Sequence, residues 1–175
     1  MGLLKDRSHL TRLLRDLKRE VKQIMEEAVT RKFVNEESSC VTSLCASVDA
    51  CLSHGLRRRV LGLFGSGSTF GLLHKIAKMC PPAQTVVKQV LETQQKHFKE
   101  RKSNGFGSGS FDLIESMKMT NADKNSVREL PVSFRYLWIR LALFEKVLTS
   151  IVDYIARNAS RYYEKDALMC DPVCG

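Results

Sequence analysis

Six cysteines, four histidines and two adjacent glutamate pairs are the residues of this chain with the most chemistry to offer. Cys40, Cys45, Cys51, Cys80, Cys170 and Cys174 include no Cys-x-x-Cys pair and no histidine at zinc-finger spacing, so no metal ligand set is expected. Cys45 and Cys51 recur with apolar residues at helical spacing, where cysteine acts as a small hydrophobe. All six are expected to be free thiols. His9, His54, His74 and His97 have no Cys or Ser nucleophile beside them in a recognisable motif. His54 reads as a helix-end residue that caps or meets the negative end of a helix dipole. Glu26-Glu27 and Glu36-Glu37 are adjacent, so on a helix their carboxylates diverge and form no acid/base pair. No catalytic residues and no cofactor are expected.

The segment Gly65-Ser66-Gly67-Ser68-Thr69-Phe70-Gly71 invites a phosphate-binding reading. Its spacing is one residue too long for the dinucleotide fingerprint, no strand precedes it, and no Lys-Ser/Thr pair follows at P-loop distance. Phe-Gly-Ser-Gly-Ser occurs at 64–68 and again at 106–110, which favours low complexity and a helix connection. Asn158-Ala159-Ser160 matches a glycosylation acceptor, which matters only in a secreted chain.

Charge is the stronger signal. The net charge is +9, and it is uneven: residues 54–102 hold ten Lys/Arg against two Asp/Glu, while the rest holds 18 against 17. Such a field attracts acidic proteins or anionic lipid head groups, and it also suits a plain solvated face. The segment lacks interleaved aromatic residues for base stacking, so no nucleic-acid partner is expected.

Helical periodicity must position these groups. Leu10, Leu14, Leu17, Val21, Ile24 and Ala28 make a core-facing stripe on a helix from about Ser8 to Lys32; a long coiled coil would need further heptads. Arg12, Arg15, Arg19, Lys22 and Glu26 line its opposite face. A second helix follows Asn35 to Ser39, buries Val41, Leu44, Cys45, Val48, Cys51 and Leu52, and stops at His54-Gly55. A short apolar segment, Leu56 to Phe64, carries Arg57-Arg58-Arg59. A third helix is expected over Thr69 to Met79, with Phe70, Leu73, Ile76 and Ala77 inward. Pro81-Pro82 starts a fourth, with Val86, Val87, Val90, Leu91 and Phe98 on its apolar side. Ser103 to Arg128 is polar and aperiodic and reads as a flexible insert, although Phe111 to Met117 has room for one helical turn. Phe134, Leu137, Trp138, Leu141, Phe144, Leu148, Ile151, Val152 and Ile155 predict one long buried helix, with the core centred on Trp138. A short last helix is expected over Ser160 to Met169. No stretch alternates like a strand. The fold class is all-α, a multi-helix bundle of six to eight helices in a single domain over residues 1–175.

Five blocks carry a family resemblance: VKQIMEEAVTRKFVNEES (Val21 to Ser38), HGLRRR (His54 to Arg59), LWIRLALFEKVL (Leu137 to Leu148), YYEKDAL (Tyr162 to Leu168) and DPVCG (Asp171 to Gly175). In this order they resemble the N-terminal RUN domain of the small G protein signalling modulators. The likeness is weak over Gly65 to Arg128. It implies a helical module that binds small GTPases of the Rap and Rab groups. It also implies a TBC GTPase-activating domain far downstream in a longer protein, of which this chain is a fragment. The alternative is a docking module for anionic lipid or cytoskeleton using segment 54–102.

No run of 18 apolar residues, secretory leader, myristoylation pattern (position 6 is Asp) or prenylation box is present. The expected location is therefore the cytoplasm, with recruitment to vesicle or Golgi membranes through a GTPase. Two basic surfaces are candidates for partner contact. The stripe Arg12, Arg15, Arg19 and Lys22 shares one helix face, which is also how an ordinary solvated face looks. The triplet Arg57, Arg58 and Arg59, if helical, would point in three directions, and at least one of its arginines is expected to pair with an acid at the core edge.

Overall fold

The computed structural model describes residues 2–34, 38–57, 68–103 and 136–170. Within these, seven α-helices and one 3₁₀ turn make an all-α fold without named strands. The helices are α1 (Gly2–Arg31), α2 (Ser39–Ser53), α3 (Thr69–Ile76), α4 (Pro81–Ser103), α5 (Leu137–Phe144), α6 (Leu148–Arg157) and α7 (Ala159–Tyr162), and the 3₁₀ turn is Leu168–Cys170.

The core lies between α2, α3, α4, α5 and α6. Leu72, Leu73 and Ile76 of α3 meet Ala83, Val86 and Val90 of α4, Trp138, Ile139 and Ala142 of α5, and Ile151 and Ile155 of α6, all buried. Trp138 stands inside this cluster, as its place in the apolar stripe predicts. Its indole Nε1–H donates to Thr69 Oγ1 at 3.1 Å, and the Thr69 hydroxyl donates in turn to the Asp49 carboxylate. A buried polar atom left without a partner is costly. This relay satisfies the indole while joining α5, α3 and α2. Ser68 caps α3 by accepting from the Gly71 amide at 3.1 Å, so part of the Gly/Ser-rich segment is a helix start.

The predicted long helix from Phe134 to Ile155 is instead two. α5 ends at Phe144, and Lys146 takes the left-handed conformation at φ 58°. The Val147 amide bonds Ala142 O at 2.9 Å and the Lys146 amide bonds Leu143 O at 3.0 Å. This pattern is a Schellman stop. Glycine usually marks it, and with lysine in its place the apolar rhythm runs through unbroken. The stop turns Phe144 outward, so it is exposed rather than core. The last helix is likewise shorter than expected: α7 closes at Tyr162, and only Leu168–Cys170 resumes helical turns. Of the expected insert Ser103 to Arg128, Ser103 closes α4 and the rest lies outside the described residues. So do Phe134, Arg58, Arg59 and Cys174. None of the five described cysteines is in a disulfide; Cys45, Cys51 and Cys80 are buried. Burial pushes the Cys45 thiol up to about 11.

Candidate interaction surface

Two regions bring the sequence-predicted basic residues to the surface. The first is α1, which packs chiefly against α2 as an antiparallel hairpin. Its far end is held by a polar clamp. Cys40 Sγ donates to Glu27 Oε2 at 2.7 Å, Ser38 Oγ donates to both Glu27 oxygens at 3.1 and 3.2 Å, and Arg31 pairs with Glu27 at 3.3 Å. The thiol, the hydroxyl and the guanidinium together lower the Glu27 carboxyl below its ordinary value. Burial first, and then the Glu27 contact, raise the Cys40 thiol. Ser38 is the N-cap of α2, yet its hydroxyl makes no cap bond, because it is turned to α1. The near end of the hairpin is closed by His9, whose ring stacks on His54 at 5.3 Å between centroids.

The stripe Arg12, Arg15, Arg19 and Lys22 does lie on one exposed face of α1. Its four cations are not equivalent. Arg19 is bound by Asp16 at 3.2 Å and by the buried Glu20 at 3.0 Å, and Lys22 pairs with Glu26 at 3.7 Å. Arg12 and Arg15 have no ion pair among the described residues, so uncompensated charge sits in the first half of the stripe. Sequence reasoning missed Glu20, an acid on the inner side that draws Arg19 down. The opposite, apolar stripe is only half-buried, and Val21 is exposed, contrary to its expected place in the core. A single flanking helix of 15 residues cannot cover a helix of 30.

The second region is a corner where two of the quoted blocks meet. Gly55, at φ 68°, turns the chain out of α2. Leu56 then forms an isolated antiparallel bridge with Tyr163. The Arg57 amide donates to Tyr162 O at 2.9 Å and the Glu164 amide to Gly55 O at 2.8 Å. Leu168 N–H donates to His54 Nδ1 at 3.2 Å, so that nitrogen carries no proton. His54 thus caps α2, as predicted, and also receives the tail. Tyr163 is fully buried, its hydroxyl donating to Leu52 O at 2.8 Å; burial raises its pKa far above the usual range. Arg57 is therefore extended rather than helical, and it pairs with Glu164 at 3.6 Å. One arginine of the triplet does meet an acid at the core edge. The ion partner of Arg57, Glu164, lies in the tail and not on α1.

Among the described residues no group of three or more His, Cys, Asp or Glu is placed to hold a metal ion, and no helix is long and apolar enough to cross a membrane. The family profile of the RUN domain matches residues 43–175. The chain belongs to the RUN domain family. It is 46% identical over 172 residues to small G protein signaling modulator 1 of Homo sapiens, covering 94% of this chain and 14% of that protein. It is 45% identical to small G protein signaling modulator 2 of Mus musculus, covering 94% and 16%. It is 36% identical to the Rab GTPase-activating protein tbc-8 of Caenorhabditis elegans, covering 95% and 15%. The chain thus spans about a sixth or less of these curated relatives. No solved structure matches it. The profile begins inside α2, so α1 precedes the matched RUN stretch. Coverage of 94% leaves out only about ten residues, so at least two thirds of α1 lies within the stretch matched to the signaling modulators.

Proposed function

We propose that this RUN domain is a docking module for small GTPases of the Rap and Rab groups. In the full-length protein it acts as an adaptor that brings a distant TBC GTPase-activating domain to its target. The observation that carries the reading is the likeness, over nearly the whole chain, to proteins named as small G protein signaling modulators and to one named as a Rab GTPase-activating protein. In this reading residues 1–175 act as a single domain in the cytoplasm, and GTPase binding recruits it to vesicle or Golgi membranes. The first half of the α1 stripe, Arg12 and Arg15, offers unpaired positive charge to an acidic partner surface, with Arg19 and Lys22 partly neutralised beside it. Complementary charge of this kind acts mainly on the association rate.

The test is a pull-down against Rap and Rab proteins loaded with GTP or GDP, followed by kinetics in low salt. Arg12→Glu combined with Arg15→Glu is expected to keep the parent's melting temperature, because neither arginine has an ion pair among the described residues, and to slow association by about tenfold. A folded double variant that associates at the parent's rate removes the stripe from the docking surface. Capture of the parent by anionic vesicles, with no GTPase bound in either nucleotide state, would replace this reading with lipid docking.

A further inference from the structure

Three large apolar side chains in the second half of α1 point to solvent: Val21 is 42% exposed, Met25 64% and Val29 82%; Phe33, just past the helix end, is 68% exposed. They recur every four residues. Isolated exposed apolar side chains need no explanation, but a continuous row does. A row at i, i+4, i+8 is a packing ridge inclined to the helix axis, and it drifts about 40° around the helix at each step. Such a ridge fits the groove of a second helix crossing at about −50°. A flat lipid surface would instead select a straight stripe with alternating spacings of three and four.

The charges beside the row define the occupant further. Lys18 lies seven residues before Met25 and Lys22 seven before Val29, so both share its face. Both are exposed, and Lys22 is only loosely held, at 3.7 Å from Glu26. A second copy of this chain fits poorly: antiparallel pairing about the midpoint of Met25 and Val29 brings Lys22 against Lys32, and parallel pairing sets each lysine against itself. We infer that the ridge Val21, Met25 and Val29, with the exposed Phe33 beyond the helix end, seats a helix of the GTPase partner. That helix carries an apolar i, i+4 row with carboxylates directed toward Lys18 and Lys22. The inference rests on the GTPase-docking reading and extends the contact from the basic stripe, which shares Lys22, onto the adjoining apolar sector of α1.

The experiment uses the full 175-residue chain and the Rap or Rab protein that the parent binds. The triple variant Met25→Gln, Val29→Gln, Phe33→Ser should keep its melting temperature, because these side chains are already in water. It should bind the GTPase about tenfold or more weakly, while Met25→Leu with Val29→Ile restores binding. A folded triple variant within about twofold of the parent's affinity overturns the ridge and leaves the GTPase reading standing. A parent that binds none of the GTPases overturns both. Loss of sedimentation with phosphatidylserine vesicles, or of a dimer in light scattering, with GTPase affinity unchanged, also overturns it, in favour of a membrane or a second copy.

Discussion

A methyl group on Gly55 would place its carbon 2.4 Å from Ala167 Cβ and 2.9 Å from Ala167 Cα, at a φ of 68°. Two penalties therefore add at one position: the left-handed backbone costs an L-residue about 1–2 kcal/mol, and forcing atoms into a packed site costs about 1–3 kcal/mol. Gly55→Ala should destabilise the domain by about 2–5 kcal/mol in urea denaturation. The loss should fall on the corner that holds the Tyr163 hydroxyl against Leu52 O. A variant as stable as the parent would show that the α2 exit adjusts freely. Lys146 presents the converse case. It adopts φ 58° while carrying a Cβ, so Lys146→Gly should relieve strain. Because glycine also loses more entropy on folding, the net gain should be at most about 1 kcal/mol. Loss of stability there would mean that the lysine side chain makes a contact that outweighs the strain.

Helices join here through pairs of polar groups as much as through apolar seams. In the clamp from Glu27 to Cys40, Ser38 and Arg31 the group that titrates in acid is Glu27, so its strength depends on pH. Glu27 binds its proton less readily when folded, so its contribution is complete above the carboxylate's ordinary 4.5 and fades as pH falls through the lower folded value. Glu27→Gln should lower the melting temperature at neutral pH and have little effect in acid, where parent and variant converge. Equal differences at both ends of the titration would show that the carboxylate charge is not what holds α1 to α2. The sequence made the element types legible because their cause is local. Spacings of three and four mark α1 and α2, Pro81-Pro82 marks the start of α4, and His54-Gly55 marks the end of α2. The break after Phe144 was hidden, because hydrogen bonds define a Schellman stop and lysine is not its usual marker. The bridge from Leu56 to Tyr163 was hidden too, since it joins residues more than a hundred positions apart. The basic stripe was legible as a face of α1. Its partial neutralisation was not, because Glu20 and Asp16 read as ordinary members of an amphipathic pattern.

At the scale of the molecule, the fold divides into a densely packed body and a long helix laid along one side of it. The body holds Trp138, the chain's single tryptophan, with its indole fixed by Thr69 at the meeting of α2, α3 and α5. Among the described residues the long helix, α1, meets that environment chiefly through α2. The two parts therefore report through different optical signals. Tryptophan emission senses the body and is nearly blind to α1, whereas far-ultraviolet ellipticity is weighted toward α1, the longest helix described. If α1 peels from α2 before the body melts, the two signals will not follow one transition. Acid should widen the gap by releasing the Glu27 clamp: ellipticity falls first, and the emission maximum moves only when the indole meets water. Coincident curves at every pH would mean that α1 and the body unfold as one cooperative unit. Separated curves would identify α1 as an independently releasable arm, whose attachment a bound partner could tighten without any change at Trp138.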